Sequence, residues 1–134
     1  MSLRILITGV AGFIGFHVCK ELMNTDHLLI GIDNLNNYYS VSLKKDRLKE
    51  LDNKANLKKS NWKFIKGDIT NENVINNIFN DYSPQVVIHL AAQAGVRFSI
   101  TNPNAYIKSN LVGFYNILEC CRKYNISNFL YASS

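Results

Sequence analysis

The chain is poor in the residues that break, staple or anchor a fold. Proline occurs only twice in 134 residues, as Pro84 and Pro103. There is no low-complexity segment, no internal repeat and no linker-like stretch, so the length reads as one domain with room for a real core. Cysteine occurs three times, as Cys19, Cys120 and Cys121. That odd number lacks metal-ligand spacing and excludes a disulfide framework, and the expected state is reduced thiols in a cytoplasmic protein. No apolar run is long enough to span a bilayer. The first residues lead into a strand with no signal-peptide layout. Acids are scarce, ten against fifteen Lys and Arg, for a net charge of +5. The excess is local: nine Lys/Arg and three acids lie between Lys44 and Lys66. Lys44, Lys45, Arg47, Lys49, Lys54, Lys58 and Lys59 alternate with Asp46, Glu50 and Asp52 and few aromatics. This reads as a solvated helix face and its following loop, not as a nucleic-acid surface.

What is present is a repeating alternation of short apolar runs and helical patterns. Strands are expected at Leu3–Thr8, Leu28–Ile32, Trp62–Ile65, Gln85–Leu90 and Phe129–Ala132. Helices are expected from Gly12 to about Met23, from Ser40 to about Leu51, from Thr70 or Asn71 to about Asn80, and from Asn102-Pro103 onward. The segment Asp52–Asn61 reads as a polar, mobile loop. On the last helix Ile107, Leu111, Phe114, Leu118 and Cys121 recur at three- and four-residue steps, a stripe expected to pack into the core. Tyr106 and Tyr115 can extend it into a subunit contact. Strands rich in Ile, Val and Leu, separated by helices, imply an α/β fold: a Rossmann-type, doubly wound parallel sheet in the order 3-2-1-4-5.

The most informative segment is Thr8-Gly9-Val10-Ala11-Gly12-Phe13-Ile14-Gly15. Gly9 stands where the chain must leave the first strand sharply. Gly12 lets backbone N–H groups approach a pyrophosphate, and Gly15 lets helix and strand pack closely. The helix start adds unpaired N–H donors and its positive dipole end. The spacing, G-x-x-G-x-x-G, is a variant of the usual dinucleotide fingerprint. Asp33 ends the next strand, 18 residues after Gly15. A carboxylate there can accept from both adenosine ribose hydroxyls and repels a 2′-phosphate, which favours NAD over NADP. A ligand is expected across the carboxyl ends of the strands, near Gly9–Ile14, Asp33–Asn37, Asp68-Ile69, Leu90–Arg97 and Ser133-Ser134. His17 and His89 lack Ser or Asp partners at triad spacing and read as structural. No metal site is expected.

The segments TGVAGFIG, IDNLN, KGDI, HLAA, SNLVGF and YASS resemble extended short-chain dehydrogenase/reductases of the NAD-dependent epimerase/dehydratase group. Within it, DNLNNYYSVSLKKDRL and HLAAQAGVRFSITNPNAYIKSNLVGFYNILECCR are most similar to UDP-glucuronate 4-epimerases. The resemblance implies hydride transfer between C4 of a UDP-sugar and tightly held NAD, through a 4-keto intermediate, with a Tyr-x-x-x-Lys pair and a Ser or Thr handling the proton.

It also implies roles by position. Gly9, Gly12, Phe13, Ile14 and Gly15 would hold the pyrophosphate, Asp33, Asn34 and Asn37 the adenosine ribose, and Asp68 and Ile69 the adenine. Leu90, Ala91 and Ala92 would form the wall beneath the cofactor, with Asn110 and Ser133 as further contacts. Ser134 is the candidate catalytic hydroxyl. Gly95, Val96 and Arg97 would face the sugar nucleotide, with Arg97 suited to a phosphate or carboxylate and equally suited to a surface ion pair.

No Tyr in the sequence has Lys four residues later. The chain is therefore expected to be the N-terminal part of a longer enzyme: able to bind NAD, unable to turn over substrate, and able to form a homodimer through the long helix. A nucleotide-sugar 4,6-dehydratase and a non-catalytic dinucleotide-binding module are the alternative readings.

Overall fold

The computed structural model describes residues 1–133. Five parallel strands form one sheet: β1 (Arg4–Thr8), β2 (Leu28–Asp33), β3 (Trp62–Lys66), β4 (Val86–His89) and β5 (Asn128–Tyr131), in the order β3-β2-β1-β4-β5. The expected class and strand order are those observed. Ile5 pairs with Leu29 and Val86, and Thr8 with Ile32 and His89. This register brings the carboxyl ends of β1, β2 and β4 level, at the edge where the chain switches direction across the sheet.

Side chains alternate between the two faces of each strand, and each face carries its own core. On one, Ile5, Ile7 and Leu29 pack with Phe16, Cys19 and Met23 around α1 (Phe13–Leu22), and with Leu48 and Leu51 of α2 (Val41–Lys58). On the other, Leu6, Ile30, Ile32 and Val87 pack with Ile75 and Phe79 of α3 (Glu72–Tyr82) and with Ile117 and Cys121 of α6 (Phe114–Lys123). Between β4 and α6 run two short turns of helix, α4 (Phe98–Thr101) and α5 (Pro103–Tyr106), and a π-helical segment, Ile107–Gly113.

Two expectations need correction. The helix after β2 does not stop near Leu51, and Asp52–Lys58 is helix, not loop. Leu51 and Ala55, one turn apart, are both buried and carry the amphipathic face onward. Ser40 caps the start by accepting from Leu43 N–H, and Lys59 in the left-handed conformation ends it. The second correction concerns the stripe on the long helix. Cys121 is buried, but Ile107, Leu111 and Leu118 are exposed, as is Tyr115. The wide π turns shift the azimuth of Ile107 and Leu111 off the core side, whereas Tyr115 and Leu118 lie in the regular turns of α6, on the face away from buried Ile117 and Cys121.

The basic run is also less solvated than its composition suggests. Lys44 is 4% exposed, and the Lys54 ammonium donates to the Lys20 carbonyl at 2.5 Å. All three cysteines are free and buried. Among the described residues no helix is long and apolar enough to cross a membrane.

Candidate functional site

The β1–α1 turn is built as its sequence requires. Gly9 has φ +74°, a region closed to most side chains, and a Cβ there would lie 2.8 Å from Ala91 N. A Cβ on Gly15 would fall into the Gly9 carbonyl. These two glycines permit the turn itself, whereas Gly12 is less constrained, its Cβ reaching no closer than 3.1 Å to the Gly9 carbonyl oxygen. Gly12 is the N-cap of α1 and offers no side-chain cap, so the first-turn N–H groups at Phe13 and Ile14 are free of any capping side chain. Both of those side chains are exposed, and Gly15 is buried under the turn.

Thr8 joins this turn to β4. Its Oγ1 accepts from Leu90 N–H at 3.1 Å and from Ala91 N–H at 3.0 Å, and lies 2.8 Å from His89 Nδ1. Sequence reasoning passed over Thr8. Its signal was a buried hydroxyl directly after the apolar run Ile5-Leu6-Ile7.

Asp33 ends β2 beside the same turn. Its Oδ2 accepts from Ala11 N–H at 3.0 Å and its Oδ1 from Leu35 N–H at 2.9 Å. Each oxygen retains a lone pair for an outside donor. Asn34 donates to Asp68 Oδ2 at 2.8 Å, and Thr70 donates to Asp68 Oδ1 through both its N–H and its hydroxyl. Burial raises the Asp68 pKa, but the bonds from Asn34 and Thr70, with the charge of Lys108, outweigh it and hold the group below the usual carboxylate range. Ile69 is buried between sheet and long helix. Asn116 Nδ2 donates to its carbonyl at 2.9 Å, and Gly113 leaves its side chain room that a Cβ would take.

Asn110 does not point its amide into open space. It clamps the Gln93 backbone, accepting from Gln93 N–H at 2.8 Å and donating to Gln93 C=O at 3.1 Å. That fixes the segment following Leu90, Ala91 and Ala92. Tyr106 donates to the Ala94 and Gly95 carbonyls from the same helix. Gly95, Val96 and Arg97 lie on the exposed side of this segment, Val96 being 84% exposed. Asn37 and Ser133 are exposed as well. Ser134 lies outside the described residues.

These parts enclose a cleft of about 110 Å³ across the strand ends. Of the residues named from sequence, Gly9, Gly12, Asp33, Asn34, Ile69, Leu90, Ala91 and Ala92 line it. Gly15, Asp68 and Asn110 support its walls from behind, through the contacts given above. Asn36 and Gln93, inside the expected segments Asp33–Asn37 and Leu90–Arg97, line it as well, and so do Tyr38, Tyr39 and Lys44, which were not anticipated. Lys44 donates to the Asn36 carbonyl at 2.8 Å and to Asn36 Oδ1 at 2.7 Å, with its Nζ 4.3 Å from the centre of the Tyr39 ring. Burial lowers its pKa, Asp33 opposes that shift and Arg47 adds to it. Among the described residues no group of three or more His, Cys, Asp or Glu is arranged to hold a metal.

A glycine turn opening onto an uncapped helix start, with a carboxylate at the end of the neighbouring parallel strand, defines a dinucleotide-binding Rossmann protein. Comparison with known proteins narrows the class. The model of the NAD dependent epimerase/dehydratase family matches residues 5–134, and the chain belongs to that family. It is 54% identical over 132 residues to the protein CapI of Staphylococcus aureus, and 45% identical over 129 residues to the UDP-glucuronate 4-epimerase of Thermodesulfobacterium geofontis. Those alignments cover 98% and 96% of this chain and 38% of each relative. Among solved structures, the UDP-glucose 4-epimerase of Thermotoga maritima with UDP-glucose superposes with a TM-score of 0.82 at 33% identity, over 98% of this chain and 38% of that one. The Thermus thermophilus UDP-glucose 4-epimerase in complex with NAD gives 0.81 at 29% identity, over the same shares. The chain thus spans about 38% of the length of these relatives. The cofactor of the family is NAD, and the Asp33 corner and the glycine turn have the chemistry to hold it.

Proposed function

We propose that these residues are the NAD-binding portion of a UDP-sugar 4-epimerase, with UDP-glucuronate and UDP-galacturonate as the interconverted pair. The observation that carries the cofactor reading is Asp33. It is oriented by two backbone N–H groups, keeps one lone pair on each oxygen, and stands beside the uncapped start of α1. The sugar assignment is supported by relatives named UDP-glucuronate 4-epimerase at 40–45% identity.

In this reading Gly9, Gly12, Phe13 and Ile14 receive the pyrophosphate, and Asp33, Asn34 and Asn37 receive the adenosine ribose. Asp68 and Ile69 take the adenine, and Leu90, Ala91 and Ala92 support the cofactor. Asn110 acts through Gln93, holding the segment that leads to Gly95, Val96 and Arg97 at the sugar-nucleotide side. When bound, NAD supplies a reversible hydride acceptor for C4 of the sugar. Ser133 adjoins the cofactor and Ser134 orients the sugar hydroxyl, while the Tyr-x-x-x-Lys pair that would move the proton is not among these 134 residues. The chain alone is therefore a cofactor binder without turnover. The exposed Ile107, Leu111, Tyr115 and Leu118 suit a homodimer contact on the long helix, and three buried thiols suit a cytoplasmic setting.

Titration calorimetry with NAD tests the proposal. Binding by the wild-type chain that weakens at least about tenfold in Asp33→Ala is expected, since charge-assisted bonds to the diol are worth about 1.5–3 kcal/mol. Absence of NAD binding refutes the cofactor role, and epimerisation of UDP-glucuronate by the isolated chain refutes the assignment of turnover to other residues. Calorimetry is preferable to fluorescence, because the single Trp62 sits at the start of β3, outside the cleft lining.

A further inference from the structure

Both polar groups of Ala11, which stands between the first two glycines of the turn, are held from outside the turn. Its N–H donates to Asp33 Oδ2 at 3.0 Å. Its carbonyl accepts from Arg47 Nη1 at 2.9 Å and from the Tyr39 hydroxyl at 3.3 Å. Arg47 Nη1 also donates to the Tyr39 oxygen at 2.9 Å, which closes a triangle of guanidinium, phenol and carbonyl. The buried stripe Lys44, Leu48, Leu51 and Ala55 sets α2 against the sheet, and Arg47 stands half-buried at its flank, one turn from Lys44 and Leu51. Among the described residues the salt bridges are Lys20–Glu50 and Arg122–Glu119, so no contacting carboxylate neutralises Arg47. The residue after Ala11 is fixed as well: Gly12 N–H donates to the Gly9 carbonyl at 3.0 Å, and the Gly12 carbonyl accepts from Phe16 N–H at 3.0 Å. Next along the chain come the N–H groups of Phe13 and Ile14, which have no capping side chain.

We propose that Arg47 and Tyr39 are positioning residues for the anion-receiving start of α1. The inference rests on the cofactor reading given above. A carbonyl oxygen is the negative end of a peptide dipole, and a turn that receives phosphate must point such ends away from it. Arg47 and Tyr39 occupy both lone pairs of the Ala11 carbonyl, which keeps the Ala11–Gly12 peptide from rotating that oxygen toward a phosphate. The bond from the guanidinium is charge-assisted and is the stronger of the two. Arg47 acts from outside the cleft lining, through Ala11, and touches no part of the cofactor. Because Asp33 holds the N–H of the same residue, the ribose end and the pyrophosphate end of the site share one rigid link.

A plain brace between α2 and the turn, once lost, weakens every ligand of the site alike. A loosened anion seat weakens the ligands that carry phosphate and spares the one that does not. Calorimetry with NAD, ADP and adenosine, the last by displacement of NAD, separates the two on wild type, Arg47→Met, Arg47→Lys and Tyr39→Phe. Arg47→Met keeps the apolar stem and should weaken NAD and ADP about tenfold, the size of one charge-assisted contact, and adenosine less than about twofold. Arg47→Lys keeps a charged donor and should recover at least about threefold of that loss. Tyr39→Phe should weaken ADP more than adenosine, by a smaller factor than Arg47→Met. Equal losses for ADP and adenosine, an unchanged ADP affinity in Arg47→Met, or no recovery in Arg47→Lys overturns the proposal. If Arg47→Met gives no cooperative melt, Tyr39→Phe, which removes a single oxygen, decides it: equal losses for ADP and adenosine there overturn the proposal too. Failure of the wild-type chain to bind NAD is seen before any variant is compared, and overturns the cofactor reading together with this inference.

Discussion

The Thr8 hydroxyl and the His89 ring nitrogen Nδ1 lie 2.8 Å apart, and the contact fixes which of them carries the proton. Thr8 Oγ1 already accepts two backbone N–H groups, from Leu90 and Ala91. Its one hydrogen is left for His89, so Nδ1 must be an acceptor and the imidazole neutral, protonated on Nε2. His89 is a structural part of the site: it orients the hydroxyl that ties the glycine turn to the end of β4.

Burial pushes the His89 pKa down from 6.5 to about 4. The folded state then binds fewer protons than the unfolded chain between those values. Stability from this group is complete above pH 6.5 and is lost as pH falls toward 4. At 1.36 kcal/mol per unit the loss is on the order of 3 kcal/mol. Urea melts from pH 4 to 7 should show this slope in wild type and a shallower one in His89→Asn. Equal slopes would place the titration elsewhere. Asp68, held below its ordinary 3.8, adds to the slope only at the acid end of that range, where the unfolded carboxyl begins to bind protons, and His89→Asn leaves that part unchanged.

Thr8→Val keeps the shape of the side chain and removes the hydroxyl. Two buried N–H groups and a ring nitrogen lose their shared partner, which should cost about 2–4 kcal/mol. Thr8→Ser should cost less than half of that. Urea midpoints compared at constant m-value give the result, and a neutral Thr8→Val would mean that the tie to β4 is idle.

The three glycines of the turn should separate stability from binding. Gly9→Ala and Gly15→Ala place a Cβ against backbone and should lower the melting temperature markedly. Gly12→Ala meets only the Gly9 carbonyl oxygen at 3.1 Å. It should stay within about 1 kcal/mol of wild type while losing at least tenfold in NAD affinity, because in the proposed binding mode its Cβ stands where the pyrophosphate approaches. Wild-type NAD affinity in Gly12→Ala would remove the phosphate from this turn.

Burial raises the thiols of Cys19 and Cys121 to about 12, Lys54 slightly opposing the first and Cys120 reinforcing the second. The thiolate fraction at neutral pH is then negligible. Ellman's reagent should titrate them only after unfolding, so fast labelling of the native chain would contradict their burial.

Much of this was legible in the sequence, for reasons that can be named. The strand order followed from apolar strands alternating with helices and from chirality, which act over the whole chain. Gly9, Gly15 and Asp33 were legible because each meets a local geometric demand. Thr8, Lys44 and Arg47 were not, because their roles depend on contacts 8 to 83 residues away along the chain. Arg47 and Lys44 looked like ordinary members of a charged helix, and only the packing of α2 against the β1–α1 turn reveals what they hold. The far half of α2 was missed because its polar composition hid Ala55, a small residue whose burial gives the helix its continuing inner face.

The stretch Ile107–Gly113 stores spare chain length. A π turn accommodates more backbone per revolution than its α counterpart. Taking one residue out ahead of Asn110 would let the rod return to regular winding with its two halves close to their present phase, leaving Asn110 on Gln93 and Gly113 over Ile69. The same cut in the regular turns after Phe114 would swivel everything beyond it by about 100°.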